Sequence, residues 1–182
     1  MGKNMKVEML TEGGVMVALA SILSLIKIYE APFGGSVTAG SMIPIIIFAL
    51  RWGVMPGIFV GLVYGIIQSI LGLYFVHPIQ YLLDYPIAFG LLGLAGISKS
   101  LSNKIQNEYL NLFIGVFMAI FGRFISHLLS GVVFFSNYAL QKGMNPWVYS
   151  AVYNGSYLGI ELIISLVLVF LLNKPIQRLR NN

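Results

Sequence analysis

Residues 110–135, LNLFIGVFMAIFGRFISHLLSGVVFF, hold two ionisable side chains, Arg123 and His127, in 26 positions. Coiled as a helix at about 1.5 Å per residue, such a run is roughly 39 Å long, more than the ~30 Å hydrocarbon core of a bilayer. A stretch so long and so apolar spans a membrane. Five further apolar runs, bounded by Gly, Pro, Asn and charge, flank it at residues 9–28, 38–50, 54–75, 79–97 and 147–172. Composition agrees: 58% of the 182 residues are hydrophobic, 9% are charged, and mean hydropathy is +0.86, whereas a soluble domain carries roughly a quarter charged residues. The expected fold is an all-α integral membrane protein, one membrane domain over residues 1–182, built as a bundle of six transmembrane helices. The run at 38–50 is short for a span; it is tilted, extends back toward Val37, or crosses only part of the bilayer inside the protein.

With the loops assigned to alternate sides, Lys3, Lys6, Arg51, Lys99, Lys104, Lys174, Arg178 and Arg180 share one side, and only Lys27 and Lys142 fall on the other. The positive-inside rule makes the first side cytoplasmic and places both the N- and C-termini there. The net charge of +5 is thus topological and does not call for a nucleic-acid partner. Lys3 and Lys6 precede an apolar run as in a signal peptide, but Glu8 and Glu12 interrupt it, so the segment reads as a retained first helix.

Much chemistry is excluded by what the chain lacks. It has no cysteine and no G-x-x-x-x-G-K-[ST] phosphate cradle, so no ATPase of its own. His77 and His127 stand apart with no acidic cluster beside them, and no G-x-S-x-G elbow occurs. The expectation is a non-enzyme without metal or cofactor.

What remains is polar side chains at bilayer depth, where ionisable groups are costly and mark functional cavities. Arg123, His127, Gly131 and Phe135 recur every four residues and share one helix face; either they line a cavity, or Arg123 snorkels and His127 bonds a neighbouring helix. In the last run, Ser150, Asn154, Tyr157 and Glu161 share a face with Tyr149 and Tyr153 beside it. Tyr149 and Trp147 also suit an interfacial aromatic belt. Glu161 reads as a hydrogen-bonded or protonated buried acid, or as part of a charge relay with Arg123. Asp84, one turn after Gln80, lies too deep to reach water comfortably, and its partner is Arg123 or a hydrogen-bond donor or cation on a ligand. With Tyr64 and the outer loop FGGSVTAGS, these groups describe an outward-facing hollow suited to a small, polar, aromatic and cationic ligand.

Two small-residue patterns complete the reading. Gly53, Gly57, Gly61 and Gly65 form a bare stripe for close helix packing. Gly14 and Ala18 repeat the pattern in the first run, and spacing alone leaves open whether they face the bundle or another protein.

In the order MLTEGGVMVALA, GGSVT, SMIPIIIFALRWG, HPIQYLLDYPIAF, RFISHLLSGVVFFSNYA and WVYSAVYNGSY, the chain resembles the thiamine-specific substrate-binding subunits, or S components, of energy-coupling factor (ECF) vitamin transporters. The resemblance implies a six-helix protein of the bacterial plasma membrane that binds thiamine near the outer surface, with a membrane coupling subunit and two cytoplasmic ATPase subunits as partners. It implies that Asp84 receives hydrogen bonds from the aminopyrimidine with Tyr85 beside it, and that His127, Tyr149, Ser150 and Asn154 line the pocket. It further implies that Gly131 leaves room for a ring, that Phe135 and Tyr64 stack on it, and that Arg123 lies near. Gly14 and Ala18 match the face that meets the coupling subunit. Some members carry tryptophan where Phe135 and Tyr64 stand, and a carboxylate near Ala39 that this chain lacks; Ser36 and Thr38 offer hydroxyls there.

Overall fold

The computed structural model describes residues 3–181, without the side chains of Lys3, Phe33, Arg180 and Asn181. The charges of Lys3 and Arg180 in the topology argument therefore lie outside the described residues. Helices dominate: α1 (Lys3–Ser24), α2 (Ile43–Trp52), α3 (Val54–Leu71), α4 (Pro78–Leu101), α5 (Glu108–Phe134), α6 (Ser136–Gln141), α7 (Pro146–Leu171) and α8 (Asn173–Asn181). Among the described residues five of these, α1, α3, α4, α5 and α7, are long and apolar enough to cross a membrane.

Local chemistry sets the ends. Pro78 and Pro146 occupy the first turns of α4 and α7, where a missing N–H costs nothing. His77 and Asn145 cap those turns by accepting from Ile79 N (3.1 Å) and Trp147 N (2.9 Å), and Asn107 accepts from Leu110 N to start α5. Gly53 separates α2 from α3 with φ of 96°, a left-handed conformation that glycine adopts without strain.

The first expected span is corrected at both ends. Residues 25–28 leave the helix, and Lys27–Glu30 pairs antiparallel with Ser36–Thr38 as strands β1 and β2, joined through Pro32 and a left-handed Gly34. The second expected span starts only at Ile43, after this ribbon. At ten residues, α2 is about 15 Å long, half a hydrocarbon core. It is also the most enclosed element, with Ile45, Ile46, Phe48, Ala49 and Leu50 all at 1% exposure or less. The irregular segment from the ribbon to Met42 occupies the level that α2 does not reach.

Neighbouring helices alternate in direction. Arg51 near the end of α2 bonds Glu8 and Glu12 near the start of α1, with Trp52 Nε1 also on Glu12 (3.1 Å). Gln68 near the end of α3 bonds Ser24 at the end of α1 (2.9 Å). The glycine stripe of α3 lies on the backbone of α4: a Cβ at Gly61 would sit 2.3 Å from Phe89 O, and one at Gly65 would sit 2.5 Å from Tyr85 O. Gly57 meets Gly93 in the same way, whereas Gly53 serves as the cap between helices. Outward faces stay apolar, with Phe59, Ile66 and Ile70 on α3 and Ile160, Ile163 and Val167 on α7 exposed, as a lipid-facing surface requires.

Candidate functional site

A cavity opens at the end of the bundle where α1 and α3 finish and α4 and α7 begin. Its walls are α4 from Gln80 to Phe89, the second half of α5, α7 from Tyr149 to Glu161, the ends of α1 and α3, and the ribbon with its loop. The segment between the ribbon and α2 contributes Thr38 and Ser41 to its lining.

Asp84 and Tyr85 reach the cavity from an irregular part of α4. Over Leu83–Ile87 the helix widens to a π-turn around Pro86, which has no N–H to donate. Ser126 Oγ donates to the Leu83 carbonyl (2.6 Å) and fixes this segment to α5. Asp84 Oδ1 is 2.9 Å from His127 Nδ1, and Oδ2 accepts from Gln80 Nε2 (2.7 Å) and Ser130 Oγ (2.8 Å). Gln80 is itself fixed, accepting from Val76 N and donating to Tyr74 O. Tyr85 OH accepts from Tyr74 N (2.7 Å) and donates to Gly72 O (2.9 Å), so its ring is held against the cavity by the α3–α4 loop.

Arg123 does not pair with Asp84, which corrects one of the two partners expected for that acid. His127 stands between them. Arg123 Nε donates to His127 Nε2 (3.2 Å), its guanidinium carbon lies 4.2 Å from the centroid of the Phe89 ring, and Nη1 points at Met42 Sδ (2.8 Å). A guanidinium only donates, so Nε2 of the imidazole must accept. The ring proton then sits on Nδ1 and is donated to Asp84. The chain Arg123, His127, Asp84 thus delivers a carboxylate whose orientation is fixed by three donors, with its side chain 19% exposed toward the cavity.

On the opposite wall, Asn154 donates from Nδ2 to Ser150 O (2.9 Å), and its Oδ1 accepts from Tyr157 OH (2.8 Å). Ser150 Oγ donates to Leu128 O (3.0 Å), which ties α7 to α5. Gly131 also lines the cavity, but the room it leaves is taken by this serine: a Cβ there would lie 2.1 Å from Ser150 Oγ. Phe135 and Tyr149 line the mouth; Phe135 packs against Tyr74 and Tyr138 (5.9 and 6.3 Å between centroids), and Lys142 Nζ covers the Tyr149 ring at 5.2 Å.

Tyr64 is corrected. It is fully buried and does not line the cavity; its ring meets Phe89 edge-on at 4.9 Å and its hydroxyl points at Ala20 O (3.4 Å). The physical reason is the glycine stripe: once Gly61 and Gly65 face α4, the neighbouring Tyr64 turns into the packing beneath the cavity floor. Phe89 is the aromatic surface that the cavity meets there.

Reading the sequence alone missed Ser130, Tyr74, Tyr138 and Phe89. Ser130 has a signal, three residues after His127 and therefore on the same face. Tyr74 and Tyr138 come from a loop and a short helix, where no periodicity announces them. The ribbon is fastened by α7: Tyr153 OH bonds Pro32 O, and Thr38 N and Oγ1 reach Glu161 Oε1 at 2.7 and 2.9 Å. Gly14 and Ala18 take no part in the cavity. Both are exposed on α1, and a Cβ at Gly14 would have no atom within 4 Å.

The arrangement offers a ligand an oriented carboxylate, amide and hydroxyl groups, and several aromatic faces. A model of the thiamine transporter protein family (Thia_YuaJ) matches residues 10–181. The chain is 35% identical over 188 residues to the thiamine transporter ThiT of Bacillus subtilis, covering 98% of this chain and 97% of that protein. It is also 35% identical over 139 residues to ThiT of Lacticaseibacillus paracasei, covering 70% and 68%. The solved structure of ThiT from Listeria monocytogenes superposes with a TM-score of 0.81 at 25% identity, covering 96% of this chain and 98% of that one.

Proposed function

The chain belongs to the thiamine transporter protein family, and on that premise we propose that it is the thiamine-capturing S component of an ECF-type transporter. It is a multi-pass protein of the bacterial plasma membrane. The cavity faces outside and both termini face the cytoplasm. The excess of Lys6, Arg51, Lys99, Lys104, Lys174 and Arg178 at the opposite end supports this orientation.

The observation that carries the reading is Asp84, its acceptor direction fixed by Gln80, Ser130 and His127, at one wall of an aromatic-lined cavity. Thiamine offers the complement: an aminopyrimidine that donates, and two flat rings, one of them cationic. Asp84 takes hydrogen bonds from the aminopyrimidine. Tyr85, His127, Gly131, Tyr149, Ser150 and Asn154 surround it, Phe135 stacks at the mouth, and Arg123 acts through His127. Tyr64 supports the floor through Phe89. The ligand leaves chemically unchanged. Energy for release comes from two cytoplasmic ATPase subunits through a membrane coupling subunit that docks on α1 at Gly14 and Ala18, both exposed among the described residues.

Isothermal titration of the purified protein in detergent with thiamine, riboflavin and biotin tests this. Saturable binding of thiamine alone is expected. Tight binding of another vitamin with none of thiamine would overturn the assignment.

A further inference from the structure

Glu161 is a carboxylate the assigned site does not use. It lies on α7 one turn beyond Tyr157, is 1% exposed, and lines the deep end of the cavity. Its two oxygens differ. Oε1 is engaged by the N–H and hydroxyl of Thr38, while Oε2 is buried with no hydrogen-bond partner in the protein. A buried acceptor left unpaired is costly, and such an atom on a residue that lines a cavity marks a place where something else supplies the donor or the positive charge.

The charges around the cavity say which. Lys27 is neutralised by Glu30 at 2.7 Å. Asp84 already takes three donors. Arg123 lines the cavity and forms no ion pair among the described residues, so it adds a cation to the wall. A ligand with a permanent positive charge would therefore enter a site where the charges of Asp84 and Arg123, though unpaired, sum to zero, and burying an uncompensated charge is strongly unfavourable. An ionised Glu161 would make the site complementary to a cation.

We propose that Glu161 supplies the countercharge to the thiazolium ring through Oε2, and so makes the site select cationic over neutral ligands of the same shape. The inference rests on the thiamine reading above. Thr38 has a positioning role: by holding Oε1 with two donors it leaves Oε2 as the oxygen without a partner.

The experiment compares thiamine with a neutral isostere in which a thiophene ring replaces the thiazolium, by titration calorimetry on the wild type, E161Q and E161D. Glutamine keeps an oxygen for Thr38 and mimics an uncharged acid. E161Q is expected to bind thiamine about 10- to 100-fold more weakly, the effect of losing one charged hydrogen-bond partner, and the isostere about as well as the wild type does. E161D is expected to retain the preference for thiamine. Unchanged thiamine affinity in E161Q would mean that the acid is buried neutral, and equal losses for both ligands would mean that it only holds the ribbon; either outcome overturns the proposal. Should E161Q not fold, the wild type decides: a preference for thiamine of about tenfold or more supports the proposal, and equal affinities overturn it. A wild type that binds neither compound refutes the thiamine reading itself, and the inference falls with it.

Discussion

Replacing Asp84 by alanine is the most direct perturbation of the site, and its size follows from the geometry. The substitution removes the acceptor of three hydrogen bonds, from His127 Nδ1 at 2.9 Å, Gln80 Nε2 at 2.7 Å and Ser130 Oγ at 2.8 Å, together with the lone-pair position left for the ligand. The protein tolerates much of the internal loss. Gln80 still donates to Tyr74 O at 3.1 Å, and the Ser130 hydroxyl can rotate toward another acceptor. The ligand has no such alternative. A hydrogen bond to a charged group contributes about 1.5–3 kcal/mol, so the dissociation constant for thiamine should rise roughly 10- to 150-fold. Calorimetry in detergent measures this, with the thermal midpoint of the unliganded variant confirming that the bundle still forms. Because His127 bonds Asp84 directly, a cycle with His127→Ala should be non-additive by at least about 0.5 kcal/mol. An Asp84→Ala protein that binds within twofold of wild type, or a strictly additive cycle, would refute the reasoning.

Tyr64→Phe removes a hydroxyl that lies beneath the floor beside Ser41 and Ser24, 3.4 Å from Ala20 O, so thiamine affinity should stay within about twofold by calorimetry, a bound set by the small net value of neutral hydrogen bonds remote from the ligand. Gly65→Ala puts a Cβ 2.5 Å from Tyr85 O, a backbone atom that cannot step aside alone; the overpacking should cost about 1–3 kcal/mol, seen as a lower thermal midpoint, with weaker thiamine binding because the displaced turn carries Asp84. A Cβ at Gly14 meets no atom within 4 Å, so Gly14→Trp places its ring on the open face of α1. It should leave thiamine binding intact and abolish co-purification with the coupling subunit, and a complex that survives would remove α1 from the docking face.

The spans were legible because bilayer thickness imposes a length and an apolar content that no other environment demands. Their ends were not. Leu25 to Ile28 are as apolar as the helix before them, and hydropathy does not separate a helix from a short strand of the same composition. What ends α1 is the pairing of Lys27–Glu30 with Ser36–Thr38, a contact across a turn that local periodicity does not carry. At the other end α1 extends through polar residues to Lys3 because Arg51, from a different helix, bonds Glu8 and Glu12. Both errors have one source: membrane helices are read from their contact with lipid, and their termini are set by contact with protein.

The site divides along the same line. His127, Asp84, Ser150 and Asn154 were legible because a polar group at bilayer depth is too costly to be incidental, and the structure brings all four to one cavity. Spacing gave the face of each helix but neither depth nor rotation, which is why Tyr64 was placed in the wall although it lies under the floor. It also gave no order of contact. Asp84 and Arg123 satisfy every requirement of an ion pair except that His127 is one turn nearer, and a side chain on the same stripe intercepts the bond. The consequence is chemical rather than merely geometric. A direct ion pair would neutralise Asp84, whereas a neutral imidazole donating one proton leaves the carboxylate its charge while fixing its direction, and a carboxylate oriented in that way can still recognise a donor arriving from outside.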